Sequence, residues 1–170
     1  YGVVPDIVVT AKGIADGFPL SAFTTREEIA QAFTPGDHLS TFGGNPVSCA
    51  AALANLAVFR KEKLAERSAA AGKRLLARLH ELAARHPLIG DVRGLGLMAG
   101  IELVSDRDRK TPAGEAAGAI QVRMLEEGFL IGVGGFHGNV LRVQPPLVID
   151  DADLDRAVAA LDRALARAAR

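Results

Sequence analysis

A single cysteine among 170 residues rules out an intramolecular disulfide and fits a reducing compartment, which we take to be the cytoplasm. Neither sign of charge is in excess: Lys plus Arg and Asp plus Glu number 20 each, leaving no basic surplus for nucleic acid or an anionic membrane. No apolar run is long enough to span a bilayer, and no signal-like segment opens the sequence. A nucleotide fingerprint is missing too, so the paired glycines Gly43-Gly44 do not alone argue for a phosphate-binding module. There is no initiator methionine, and the chain opens at Tyr1-Gly2 almost directly on a strand, so it reads as the C-terminal part of a longer protein. What it does have is 49% apolar residues, enough for a core, in a length that suits one or two small domains.

The run Ile7 to Thr10 predicts a short buried strand without polar alternation. It stops at Lys12, where small residues and Gly13 impose a loop. Two readings of that lysine compete. It could snorkel to solvent, or it could be desolvated at the strand end, which lowers an amine's pKa and makes it a Schiff-base nucleophile. A second strand is expected over Leu20 to Thr24. Thr25-Arg26-Glu27-Glu28 then has the spacing of a capping box, before a helix whose apolar face is Ile29, Ala30 and Phe33. Pro35-Gly36 ends that helix, and His38 falls in a polar, solvated loop. In Thr41-Phe42-Gly43-Gly44-Asn45-Pro46, Asn45 reads as an N-cap with proline at the first helical position. The segment is either an ordinary glycine turn or an anion site made of a hydroxyl, free backbone amides and a helix start. An alanine-rich helix follows over Val47 to Phe59, with Cys49 as a small buried hydrophobe.

After a charged break at 60–63, Leu64, Ser68, Ala71, Leu75, Leu79 and Leu82 recur every three or four residues, placing them on one face of a helix that ends near Ala84. His80 belongs to its solvated side. Two strand-like pieces flank Arg93-Gly94-Leu95-Gly96, and Arg93 could bind a carboxylate or form a structural salt bridge. A helix over Ala113 to Glu127 is closed by Gly128. Strands at Phe129–Val133 and Val140–Val143 enclose a glycine-rich loop, which fits an antiparallel pair in a small α+β domain. Asp150 or Asp151 caps a last helix with Leu154, Val158, Leu161 and Leu165 along one side. Arg142 alternates away from Leu141 and Val143. An arginine inside an apolar strand calls for an anionic partner, or else sits on an edge in solvent or in a structural ion pair. Phe136 and His137 could line the same mouth.

Four ordered segments carry a resemblance: Pro5-Asp6-Ile7 through Ala11-Lys12-Gly13 to Gly17-Phe18-Pro19-Leu20, then Thr41 to Pro46, Asp91 to Met98, and Arg142-Val143-Gln144-Pro145-Pro146-Leu147. Together they resemble the second half of class III aminotransferases, which depend on pyridoxal 5'-phosphate (PLP), and the wording is nearest to alanine–glyoxylate and 4-aminobutyrate members. The resemblance implies an α/β fold, the C-terminal part of a fold type I PLP-dependent transferase. Residues 1–62 would close the large PLP-binding domain, and 63–170 would form a connecting helix and a small α+β domain. It also implies an enzyme that moves an amino group from an amino acid to a keto acid, with Lys12 carrying the cofactor as a Schiff base. Thr41 would hydrogen-bond the phosphate held by the neighbouring subunit of a homodimer, and Arg142 would bind the substrate α-carboxylate; no metal is implied. In such enzymes the phosphate cradle, the ring-stacking aromatic and the acid on the pyridine nitrogen lie in the earlier half, so these residues alone are expected to make an incomplete site. The other readings are an aminomutase or decarboxylase on the same scaffold, or a non-catalytic C-terminal domain that packs against a partner chain.

Overall fold

In the computed structural model, which describes residues 2–168, the chain divides at Lys63 into two units. Tyr1, with which the sequence opens, and Ala169 and Arg170, with which it closes, lie outside the described residues. No helix among those residues is long and apolar enough to cross a membrane.

The unit ending at Lys63 starts with an antiparallel hairpin, β1 (Ile7–Ala11) against β2 (Ser21–Thr25), in register from Ile7 opposite Thr25 to Ala11 opposite Ser21. The two strands were legible, but the burial expected for β1 is not found. All five of its residues are exposed, Val9 at 75%. β-branched runs fit a covered strand, but this one lies in a two-stranded sheet with β2, and both faces of it stay exposed. The capping-box expectation also fails. Thr25 still belongs to β2, and its hydroxyl donates to the Asp6 carbonyl at 2.8 Å, so Arg26 stands at the N-cap without a side-chain bond. The helix that follows, α1 (Glu27–Ala30), is a single turn. Phe33 stacks on Phe23 with ring centroids 5.4 Å apart, and His38 meets both rings edge-on, so His38 joins a small aromatic cluster. The alanine-rich helix α2 runs Pro46–Lys61, with Ser48 and Ala52 buried; Cys49 is half-buried where full burial was expected.

The unit from Leu64 contains the core. Helix α3 (Leu64–Arg85) buries Leu64, Gly72, Leu75, Leu79 and Leu82 along one stripe, as its periodicity predicts. Next come β3 (Ile89–Leu95), β4 (Met98–Asp106), the two-residue β5 (Thr111–Pro112), α4 (Gly114–Glu126), β6 (Gly132–Gly134), β7 (Val140–Val143) and α5 (Asp151–Ala168). The strands form an antiparallel sheet in the order β3-β4-β7-β6, with β5 pairing to β4. Ile101, Leu103 and Leu141 on its inner face pack with Leu79 and Leu82 of α3, Ile120 of α4 and Leu161 of α5 in one buried cluster. Asp150 is the residue that caps α5, its Oδ1 accepting the Asp153 N–H at 2.7 Å. Of the apolar residues of α4, Ala117, Ile120 and Met124 are buried, whereas Val122 and Leu125 are exposed.

Two long-range devices join the elements. Where α3 crosses the β3–β4 turn there is no room for a side chain: a Cβ on Gly72 would lie 2.2 Å from the Gly96 carbonyl. Gly96 itself has φ +56, and the next amide, Leu97 N–H, donates to Ser68 Oγ at 3.1 Å. The second device is a ladder of ion pairs from α3 to α5: Arg74–Asp151, Arg78–Asp155 and Arg85–Asp162, each 77 residues apart in sequence. That constant offset sets the two helices parallel. Asp162 also bonds His86 Nε2 at 2.6 Å. The bond from His86 and that from Arg85 hold the Asp162 carboxyl below its ordinary 3.8, against desolvation. A depressed folded value means that this contribution is present above pH 3.8 and is lost as the pH falls through the folded value. The melting-temperature gap between the wild type and Asp162→Asn is therefore expected to be open at about pH 6 and to close towards about pH 3 in thermal melts followed by circular dichroism. A gap independent of pH would show that the carboxylate's charge is not what stabilises.

Candidate active site

Lys12 sits at the hinge of the first hairpin. β1 ends at Ala11, and Lys12–Ile14 form a short 3-10 turn in which Lys12 adopts φ +52, a left-handed conformation that lysine seldom takes. Helix α2 holds the turn in place: Asn55 Nδ2 donates to the Gly13 carbonyl at 2.7 Å and to the Ile14 carbonyl at 3.2 Å. Beneath these bonds Ala15 and Ala52 are both buried. Sequence reasoning passed over Asn55, although an amide on an otherwise alanine-rich helix face was the signal available. The Lys12 side chain is exposed, so these residues do not supply the desolvation considered from sequence. It borders instead a cleft of about 770 Å³ whose lining includes the aromatic residues Phe18, His38 and Phe42 and the hydroxyl residues Ser21 and Ser40.

The segment after α1 closes the far side of that cleft. Gly44 has φ +65, and a Cβ on Gly43 would lie 2.8 Å from Ser40 Cβ, so both glycines are required by conformation or space. Asn45 caps α2 as its position before Pro46 suggested. Its Oδ1 accepts the Ser48 N–H at 2.9 Å, while Nδ2 donates to the Phe42 carbonyl at 3.0 Å. Thr41 is exposed and lies between two residues that line the cleft, Ser40 and Phe42, without lining it itself.

Arg142 lies in the other unit, on β7, with Gly100 of β4 on one side and Gly132 of β6 on the other. It is therefore not on an edge strand. Among the described residues no carboxylate lies within ion-pair distance of it, although it borders a cavity of about 980 Å³ with Gln144 and Pro146. Arg93 is the opposite case. Its Nη1 bonds Asp91 at 2.6 Å and Glu102 at 2.7 Å, and these two bonds raise the guanidinium above its ordinary value. Of the two readings open for Arg93, the structural salt bridge holds. Phe136 and His137 stack edge-on in an exposed loop and are not among the residues lining the Arg142 cavity.

Comparison with known proteins gives a consistent picture. The family described as Aminotransferase class-III matches residues 1–165. The mitochondrial alanine–glyoxylate aminotransferase 2 homolog 2 of Arabidopsis thaliana is 50% identical over 167 residues, which is 98% of this chain and 35% of that protein. The 4-aminobutyrate aminotransferase of Escherichia coli is 42% identical over 90% of this chain and 36% of its own length. Among solved structures, a Bacillus anthracis aminotransferase superposes with a TM-score of 0.91 at 41% identity, over 98% of this chain and 40% of that one. A PLP-bound amine transaminase from an uncultivated Pseudomonas species gives 0.88 at 37%, over 98% and 39%. The chain thus spans 35% to 40% of the length of these proteins.

Proposed function

Because the chain belongs to the class III aminotransferases, we propose that it is the lysine-bearing, carboxylate-binding part of a PLP-dependent enzyme that transfers an amino group from an amino acid to a keto acid. The observation that carries this reading is the exposed Lys12 amine, set in a strained turn that Asn55 pins from α2 and opening on a cleft. The residues present fit the cofactor in part. The cleft has a primary amine for an aldehyde, hydroxyls and glycine backbone for a phosphate, and no acidic lining residue; the rest of the cradle would come from the remaining length that the relatives possess.

In this reading Lys12 Nζ would hold the cofactor and, once released, take the proton from the substrate's α-carbon and carry it to the cofactor side, so that the amino acid would leave as a keto acid. PLP, when bound, supplies the electron sink. Arg142 would present its planar fork to the substrate carboxylate and fix the orientation of the neighbouring carbon. Thr41, turned out of the cleft that its neighbours line, would serve the phosphate site of a second subunit, so the working form would be a homodimer. With one half-buried cysteine and no disulfide, a reducing compartment, the cytoplasm, is where we place it.

Incubation with PLP, borohydride reduction and peptide mass spectrometry tests the proposal. A single reduced adduct is expected on the peptide containing Lys12. Label scattered over the other lysines would overturn the assignment of Lys12.

A further inference from the structure

The strand beside Arg142 is built almost without side chains. Neither Gly132 nor Gly134 has a positive φ, so backbone conformation does not explain two glycines in a three-residue strand, where they weaken pairing. The space above them does. A Cβ on Gly132 would lie 3.2 Å from both Nε and Nη2 of Arg142, and one on Gly134 would lie 3.3 Å from Nε. Gly132 is directly opposite Arg142 and Gly134 is opposite Val140, so the arginine crosses diagonally over both glycines. The side chain lies along the floor that they leave bare. No ion pair among the described residues holds it there.

From this we infer that Gly132 and Gly134 are positioning residues for carboxylate recognition: they let the Arg142 guanidinium lie along the strand, with its fork free for a planar carboxylate. The inference rests on the reading of Arg142 as the carboxylate receiver. A methyl group at either position would crowd Nε and push the fork out by a few tenths of an ångström, and a branched side chain would displace it further. Bidentate recognition is sensitive to that scale of shift. The two positions would thereby help to set preference for amino acids over amines that lack a carboxylate.

The test is spectrophotometric titration of the holoenzyme with 2-methylalanine, which carries an amine and a carboxylate but no α-hydrogen and so binds without turning over. The dissociation constant is expected to rise about threefold in Gly132→Ala and Gly134→Ala and about tenfold in Gly132→Val. Cofactor content and melting temperature should be unchanged in the alanine variants, because alanine suits a strand at least as well as glycine. Combined with Arg142→Ala, the glycine substitutions should add nothing. Wild-type binding by the alanine and valine variants, with Arg142→Ala weakened, would overturn the inference and leave the Arg142 reading standing. Weakening that simply adds to that of Arg142→Ala would also overturn it, because the effect would not pass through the guanidinium. An unresponsive wild type, or an Arg142→Ala variant that binds normally, would remove the reading itself and the inference with it.

Discussion

Replacing Lys12 by glycine is expected to abolish turnover while making the protein more stable. If Lys12 has the proposed role, loss of its proton-transferring amine alone would cost roughly 10²–10⁴-fold in rate, and loss of the covalent anchor more. The side chain is exposed, so its removal opens no cavity. The backbone at φ +52 strains any residue with a Cβ, and relieving that strain should contribute about 1 kcal/mol. Stability and activity should therefore move in opposite directions at one position, as expected where strain is retained for function. Lys12→Ala, which keeps the Cβ and loses the amine, should be equally inactive without the gain in stability. Steady-state rates of the three proteins in the holoenzyme, with thermal melts beside them, decide the matter. Residual turnover in either variant close to the wild-type rate would remove Lys12 from the chemistry.

The second large effect is structural, and its sign is opposite to that given by helix propensity. Gly72→Ala lies within α3, where alanine is intrinsically better than glycine by about 1 kcal/mol. Here the new methyl would fall 2.2 Å from the backbone carbonyl of Gly96. That neighbour is main chain in a left-handed turn, so the helix or the hairpin has to move as a body. We expect a net loss near the upper end of the ~1–3 kcal/mol typical of overpacking. The displacement would also stretch the bond from Leu97 N–H to Ser68 Oγ. Urea unfolding followed by circular dichroism measures the loss. A stabilised Gly72→Ala would mean that the close crossing does not persist in solution. Gly94 repeats the theme from the other strand, since a Cβ there would sit 2.3 Å from the Met98 carbonyl.

Both predictions depend on contacts that local sequence does not record. The leucine stripe of α3, the Asn45 cap, the presence of two strands around Arg93 to Gly96 and the buried side of α5 were all legible, because each follows from spacing within a few turns of chain. Thr25 misled because the same hydroxyl that could cap a helix was taken by the Asp6 carbonyl, just before β1 and nineteen residues away. Burial of β1 was misread for a related reason: a β-branched run shows that a strand suits an apolar cover but does not show where the cover comes from. At the candidate site, resemblance singled out Lys12, Thr41 and Arg142. The supports of two of them, Asn55 under the lysine turn and the glycine floor under Arg142, came only from three-dimensional neighbours. For Arg93 the sequence left two readings open, and Glu102 across the hairpin decided between them.

The ladder between α3 and α5 also has a consequence for how the protein is made. Its partners are separated by 77 residues, and α5 supplies one wall of the core of this unit. During synthesis the leucine face of α3 leaves the ribosome about 4–15 s before the helix that covers it, at ordinary elongation rates. Through that interval an amphipathic helix and an open sheet wait with their apolar sides in water. Such high contact order slows closure and makes the half-made chain a natural client for chaperones. The alternating arginines of α3 would meanwhile keep the nascent helix soluble, so that the charges which later fix the register would first protect the chain from aggregation.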